Sequence, residues 1–183
     1  QLLELLNELM KTEKGPEILS ENAYPFFTTV MLPLFALTED NIDALASDPA
    51  SFIADVHKFD YVSNTDNTFE DLRECASIVL YNLSDRPEIV EMIFSIVVEV
   101  YNQYGQSSMD LDAQNLLFSA FLMLSSTSKG LDAHRLKHFF NDILPLYDSG
   151  PELGRCAAFM ILSKSTAIVD TQIIVKCVEH LLD

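Results

Sequence analysis

Tryptophan is absent from this sequence, glycine and cysteine are scarce, at five and three, and cations are few: 11 Lys and Arg stand against 28 Asp and Glu, a formal charge of -17. A chain this acidic repels nucleic-acid phosphates, which excludes direct nucleic-acid binding as the main activity and favours a basic partner. Such charge raises association rate and solubility more than affinity, so it names the sign of a partner and little else. Cys75, Cys156 and Cys177 are too scattered, and odd in number, to make a disulfide framework; a reducing compartment fits them best. No apolar run approaches the roughly 20 residues of a membrane span. The longest, Ile89 to Val100, is interrupted by Glu91, Ser95 and Glu99, so no membrane insertion is expected. The start shows no basic flank, apolar run and cleavage site of a secretion signal. Without such a signal, the sequon Asn82-Leu83-Ser84 reads as a chance occurrence. The chain begins with Gln1 rather than Met, and the expectation is a fragment of a longer parent.

The parts of familiar catalysts are missing too. No Gly-rich phosphate loop, no Gly-x-Ser-x-Gly elbow and no paired-Cys motif occurs, so no enzyme activity, cofactor or metal is expected. Carboxylates are plentiful, but a useful acid near neutrality needs burial or a close like charge.

What is present is helical periodicity. Leu2, Leu3, Leu5, Leu6, Leu9 and Met10 make one apolar face, ended by Gly15-Pro16; a second helix carries Phe26, Phe27, Val30, Met31 and Leu34. Further helices are predicted over about 69–83, then through Ile89, Met92, Ile93, Ile96, Val97 and Val100, then over 111–125, 131–146, 151–164 and 170–182. The junction Ser84-Asp85-Arg86-Pro87 reads as a cap followed by proline in the first turn. Strand-like alternation is nearly absent.

The helices echo one another. Leu72, Cys75 and Ala76 align with Leu153, Cys156 and Ala157, roughly two forty-residue units further on, and Gln114 to Phe121 occupies the unit between. That is the HEAT/armadillo period. Met31-Leu32-Pro33-Leu34 is echoed by Ile143-Leu144-Pro145-Leu146, where proline bends or stops the second helix of a pair. The expected fold is all-α: a superhelical solenoid of about four HEAT-like repeats, each burying its apolar face against its neighbours. Residues 1–37 form a helical repeat, 38–68 an acidic insertion with short helices, and 69–183 the remaining repeats of one solenoid domain. Leu2 to Leu6 at one end, and Ile174, Val178 and Leu181 at the other, are expected to face missing neighbours.

The insertion concentrates charge. Glu39, Asp40, Asp43, Asp48 and Asp55, followed by Asp60, Asp66, Glu70, Asp71 and Glu74, face only Lys58 and Arg73. Thr38-Glu39-Asp40 caps a short helix through Ile42 and Leu45, which Asp48-Pro49 breaks; Phe52, Ile53 and Val56 pin a second piece, and 61–67 reads as a loop.

The string from Val30 to Ile42, with Met31-Leu32-Pro33-Leu34 and Leu37-Thr38-Glu39-Asp40, followed by Asp48-Pro49-Ala50-Ser51-Phe52-Ile53, resembles the middle of importin-beta (karyopherin) superfamily transport receptors. Those carry an apolar-Pro-apolar helix end, a Leu-Thr-Glu-Glu-Asp-like turn and an Asp-Pro-x-x-Tyr/Phe-Ile element. Phe139 to Leu146 and Leu153 to Ala158 look like another unit of the same family. The nearest branches are importin-seven/eight-like receptors and the CAS-like exporter; Ala44-Leu45 and Ala54-Asp55 depart from their pattern. The resemblance implies nucleocytoplasmic transport, in cytoplasm, nucleus and pore, with basic protein cargo, the Ran GTPase and Phe-Gly nucleoporins as partners. It makes Glu39, Asp40, Asp43, Asp48 and Asp55 candidate partner-binding residues, against the plainer reading of a solvated connection. A non-transport HEAT scaffold or regulatory subunit is the alternative.

Two other patterns have plainer readings. His134 and His138 are one helical turn apart, as in a zinc site, yet Arg135 stands where a metalloprotease has Glu, no third ligand is evident and adjacent positive charge opposes a cation. They read as exposed helical histidines. Phe118, Phe121, Phe139, Phe140 and Phe159 invite comparison with surfaces that hold Phe-Gly repeats; core packing is the expected role.

Overall fold

The computed structural model describes residues 8, 12, 22–48, 72–105, 110–149, 152–165 and 170–182. Every regular element among them is helical, so the fold is all-α. The expected first helix face and its Gly15-Pro16 stop, the helix start near 69, the second piece of the insertion and the loop 61–67 lie outside the described residues.

Helix α1 covers residues 22–34 and contains a π-helical stretch, Phe27–Met31, before a last α-helical turn, Leu32–Leu34. Proline explains the change. Pro33 has no N–H, and in a regular helix its ring would press on the carbonyl of Thr29; a wider turn relieves that contact. The Leu32 N–H accordingly donates five residues back, to the Phe27 carbonyl. Thr28 donates its hydroxyl to the Tyr24 carbonyl at 2.9 Å, and the Thr29 hydroxyl donates to the Pro25 carbonyl. Phe27 and Met31 are fully buried on the inward face.

The acidic stretch yields α2, Glu39–Ser47; then come α3, Leu72–Leu83, α4, Pro87–Tyr104, and α5, Leu111–Ser126. Pro87 opens α4 as expected, but the cap differs. Arg86 is the N-cap residue and makes no side-chain cap bond, while Ser84 donates back to the Tyr81 carbonyl at 2.6 Å. A short 3-10 turn, Ser128–Gly130, leads to α6, Ala133–Asp142, and α7, Leu144–Ser149. The single helix expected over 131–146 is therefore two. Ile143 closes α6 by donating its N–H to Phe139, and Pro145 sits in the first turn of α7, where its missing N–H costs nothing. Helices α8, Glu152–Ser165, and α9, Thr171–Leu182, complete the described chain.

Helix α5 is the centre. It packs on α4, α3, α1 and α8, while α7 packs on α8 and α9, and α6 on α9. From Leu117 to Ser125 every residue of α5 is buried; a helix apolar on all sides belongs inside a protein. Its hydroxyls bond locally: Ser119 to the Asn115 carbonyl, Ser125 to that of Leu122, as burial requires. An aromatic cluster joins three helices. Phe121 of α5 lies 5.6 Å from Phe139 of α6 and 6.4 Å from Tyr101 of α4, and Phe94 of α4 lies 5.5 Å from Phe139. The Tyr101 hydroxyl donates to the Asp142 carbonyl at 2.8 Å, and burial, then Asp142, raises its pKa.

The long-range echo holds in placement but not in every side chain. Ala76 of α3 and Ala157 of α8 are both fully buried, yet Leu153 is buried while Leu72 is 64% exposed. At the far end of the described chain Ile173 is buried and Ile174 packs on the core; the burial of Val178 and Leu181 lies outside the description. No helix among the described residues is long and apolar enough to cross a membrane.

Candidate functional site

The acid-bearing helix α2 begins with a reciprocal cap. Thr38 accepts the Asn41 backbone N–H at 3.3 Å, and the Thr38 N–H donates to the Asn41 side-chain oxygen at 3.2 Å. This satisfies N–H groups that a helix start leaves unpaired. Glu39 and Asp40 occupy the first turn, where the positive end of the helix dipole favours carboxylates.

Two side chains from distant helices fix this start to the body. Asn115 of α5 accepts the Leu37 N–H at 2.7 Å and donates its amide to the Leu37 carbonyl at 2.9 Å. Arg73 of α3, only 9% exposed, donates through one terminal nitrogen to the Ala36 carbonyl at 3.0 Å and to the Asn41 side-chain oxygen at 3.2 Å. One of the two cations counted against these acids is thus directed at the turn ahead of α2, holding it from beneath.

Of the five candidate residues the structure brings three together. Glu39, Asp40 and Asp43 are exposed and, by helical spacing, share one face of α2. Asp48 is the exposed C-cap at the opposite end, donating its N–H to the Ala44 carbonyl at 2.8 Å. Asp55 lies outside the described residues. Asp110 and Asp112, not singled out by the sequence pattern, are both exposed at the start of α5. Asp110 caps that helix by accepting the Asp112 N–H at 3.0 Å. Asn115, one turn on, grips Leu37, so the turn ahead of α2 is tied to the beginning of α5.

Removing the clamp tests its role. Arg73→Met or Asn115→Ala leaves partly buried backbone groups of Ala36 or Leu37 without these partners, a loss of about 1–2 kcal/mol each. The expected result is faster amide hydrogen exchange through residues 37–47, with slower change in α4 and α5. Unchanged exchange there would mean that α2 is held by other contacts.

Elsewhere Lys129, Arg135 and Lys137 are engaged locally. Lys129 pairs with Asp85 at 2.8 Å and lies 5.2 Å from the centre of the Tyr81 ring; Lys137 pairs with Asp170 at 3.5 Å. The Gln172 backbone N–H, ahead of Lys137, holds the Asp170 carboxyl below its usual range. Arg135 pairs with Glu91 and stacks over Phe94. His134 and His138 are exposed, with ring centres 4.6 Å apart. Among the described residues no group of three or more His, Cys, Asp or Glu side chains is placed to hold a metal ion. Phe118, Phe121, Phe139 and Phe140 are buried core, as expected, and Phe159 is partly buried at 4.8 Å from Tyr147. Cys75 is buried and Cys156 half-buried among the helices.

Fold and site together define an all-helical packing unit that presents a firmly seated acidic helix to solvent. No protein family, no curated protein and no solved structure matches the chain.

Proposed function

We propose that the chain is a segment of an importin-beta-like nuclear transport receptor, in which the acidic surface of α2 docks basic protein cargo. On this reading α3–α4, α5 with α6–α7, and α8–α9 are successive HEAT-like repeats of a longer solenoid. The packing of α5 against both α3 and α8, and of α7 against α9, supports two layers of first and second helices. Cargo is held by the solenoid, Ran in its GTP state changes cargo affinity, and weak Phe-Gly contacts carry the receptor through pores between cytoplasm and nucleus. The observation that carries the docking role is the seating of α2. A merely solvated connection has no need of Arg73 and Asn115 under its first turn, whereas pre-organised carboxylates bind without first being ordered.

The direct test is a titration with a fluorescent Lys/Arg-rich peptide. Glu39→Lys, Asp40→Lys and Asp43→Lys combined are expected to weaken binding at least tenfold and to flatten its salt dependence. Lysines in a first helical turn also oppose the helix dipole, at about 0.3–1 kcal/mol each. The combination Glu39→Gln, Asp40→Asn and Asp43→Asn avoids that cost and is expected to give a smaller loss in the same direction. Unchanged binding in both would assign these charges to solubility. For the transport role, the full-length parent is tested for capture of Ran locked in its GTP state. A parent that ignores Ran is a HEAT scaffold of another kind.

A further inference from the structure

We infer that His134 and His138 form a two-imidazole chelate on the outer face of α6 for a divalent transition-metal ion, copper(II) or nickel(II). Spacing of one turn puts both rings on one face, and here they are already in contact, with centres 4.6 Å apart and planes at 64°. That separation matches metal geometry. With metal–nitrogen bonds of about 2.0–2.1 Å, each ring centre lies about 3.2 Å from the ion, so two adjacent ligands at a right angle stand about 4.5 Å apart and two tetrahedral ligands about 5.2 Å apart. The observed spacing fits two adjacent ligands of one ion, and the general affinity order puts copper(II) first.

Charge at the site also differs from the expectation raised by Arg135 and Lys137. Both flank the histidine face, and both are drawn off it: Arg135 onto Glu91 and the Phe94 ring of α4, Lys137 onto Asp170 ahead of α9. Each carries its own counter-charge, on a chain whose formal charge is -17. Because α6 is a regular helix anchored by buried Leu136, Phe139 and Phe140, its two rings need little reordering to bind. The other coordination positions stay open to water or to a ligand from a docked partner.

Titration of the 183-residue chain with copper(II) chloride or nickel(II) chloride, in a buffer that does not chelate, tests this. One ion per chain at micromolar affinity is expected, with two equivalent nitrogens in the copper electron-spin spectrum. His134→Ala or His138→Ala alone should weaken binding at least tenfold, and the double variant at least thirtyfold, because the second imidazole acts at millimolar or higher effective concentration once the first is bound. Both positions are exposed, so the helical circular-dichroism signal should not change. His57→Gln with His180→Gln controls for the remaining histidines and should leave this binding intact. Affinity in the double variant within threefold of the parent, or a copper spectrum showing a single nitrogen, would overturn the assignment.

Discussion

Phe121→Ala is expected to destabilise the chain by about 3–5 kcal/mol, measured by urea unfolding. The ring is fully buried in α5, edge-on to Phe139 and tilted against Tyr101. Its ring neighbours come from α4 and α6, and Tyr101 is pinned by its hydrogen bond to the Asp142 carbonyl. A site walled in this way cannot collapse into the space left behind, so the cost belongs at the high end of the range for a lost ring. Phe121→Leu keeps most of the volume and is expected to cost under about 1.5 kcal/mol. A loss below about 1 kcal/mol for the alanine variant would mean that the cluster repacks freely and that α4, α5 and α6 are not locked together there.

Gly130→Ala should be nearly as damaging although it adds only a methyl group. A Cβ on Gly130 would overlap the Ser84 carbonyl oxygen and come within 2.8 Å of the Val90 Cγ2. The first of these belongs to the backbone between α3 and α4, which cannot swing aside as a side chain can. Gly130 N–H also donates to the Thr127 carbonyl at 3.0 Å, closing the 3-10 turn. Relief therefore requires the turn to part from the α3–α4 junction, straining the Lys129–Asp85 pair that spans the same gap. Overpacking of this kind costs about 1–3 kcal/mol, and a backbone clash belongs at its upper limit. The melting temperature should fall by about 6–12 °C, taking about 2–4 °C per kcal/mol at this size. Gly105→Ala makes a useful contrast. Its Cβ would strike chiefly Tyr101, so its damage should travel through the aromatic cluster and be partly shared with Phe121→Ala.

Much of the helical order was legible because its signals are local. Thr38 caps α2, Asp110 caps α5, Pro87 starts α4, and Asp170 accepts the Gln172 N–H before α9. Each acts within one turn of itself. The misplaced features are those where local signals compete. Leu131 to Leu146 has unbroken apolar spacing, so from sequence Pro145 bends or stops one helix, whereas it sits in the first turn of another. Ser84 and Asp85 look like caps, yet Ser84 is turned back to finish α3. The candidate site was half legible: its carboxylates stand out in the sequence, while the pieces that seat them do not. Nothing around Arg73 or Asn115 marks them as partners of Ala36 and Leu37, since those contacts exist only once α1, α3 and α5 are packed.

The Asn115 grip on Leu37 joins residues 78 positions apart, and that distance is also an interval of time. On a ribosome adding about 5–20 residues per second, the Leu37 turn waits roughly 4–16 s for its Asn115 partner to be made. Through that interval the newborn acidic helix lacks one of the two anchors that later hold it, since Arg73 is made first. A nascent-chain chaperone or an early-arriving basic protein meeting it then would find its carboxylates only half secured.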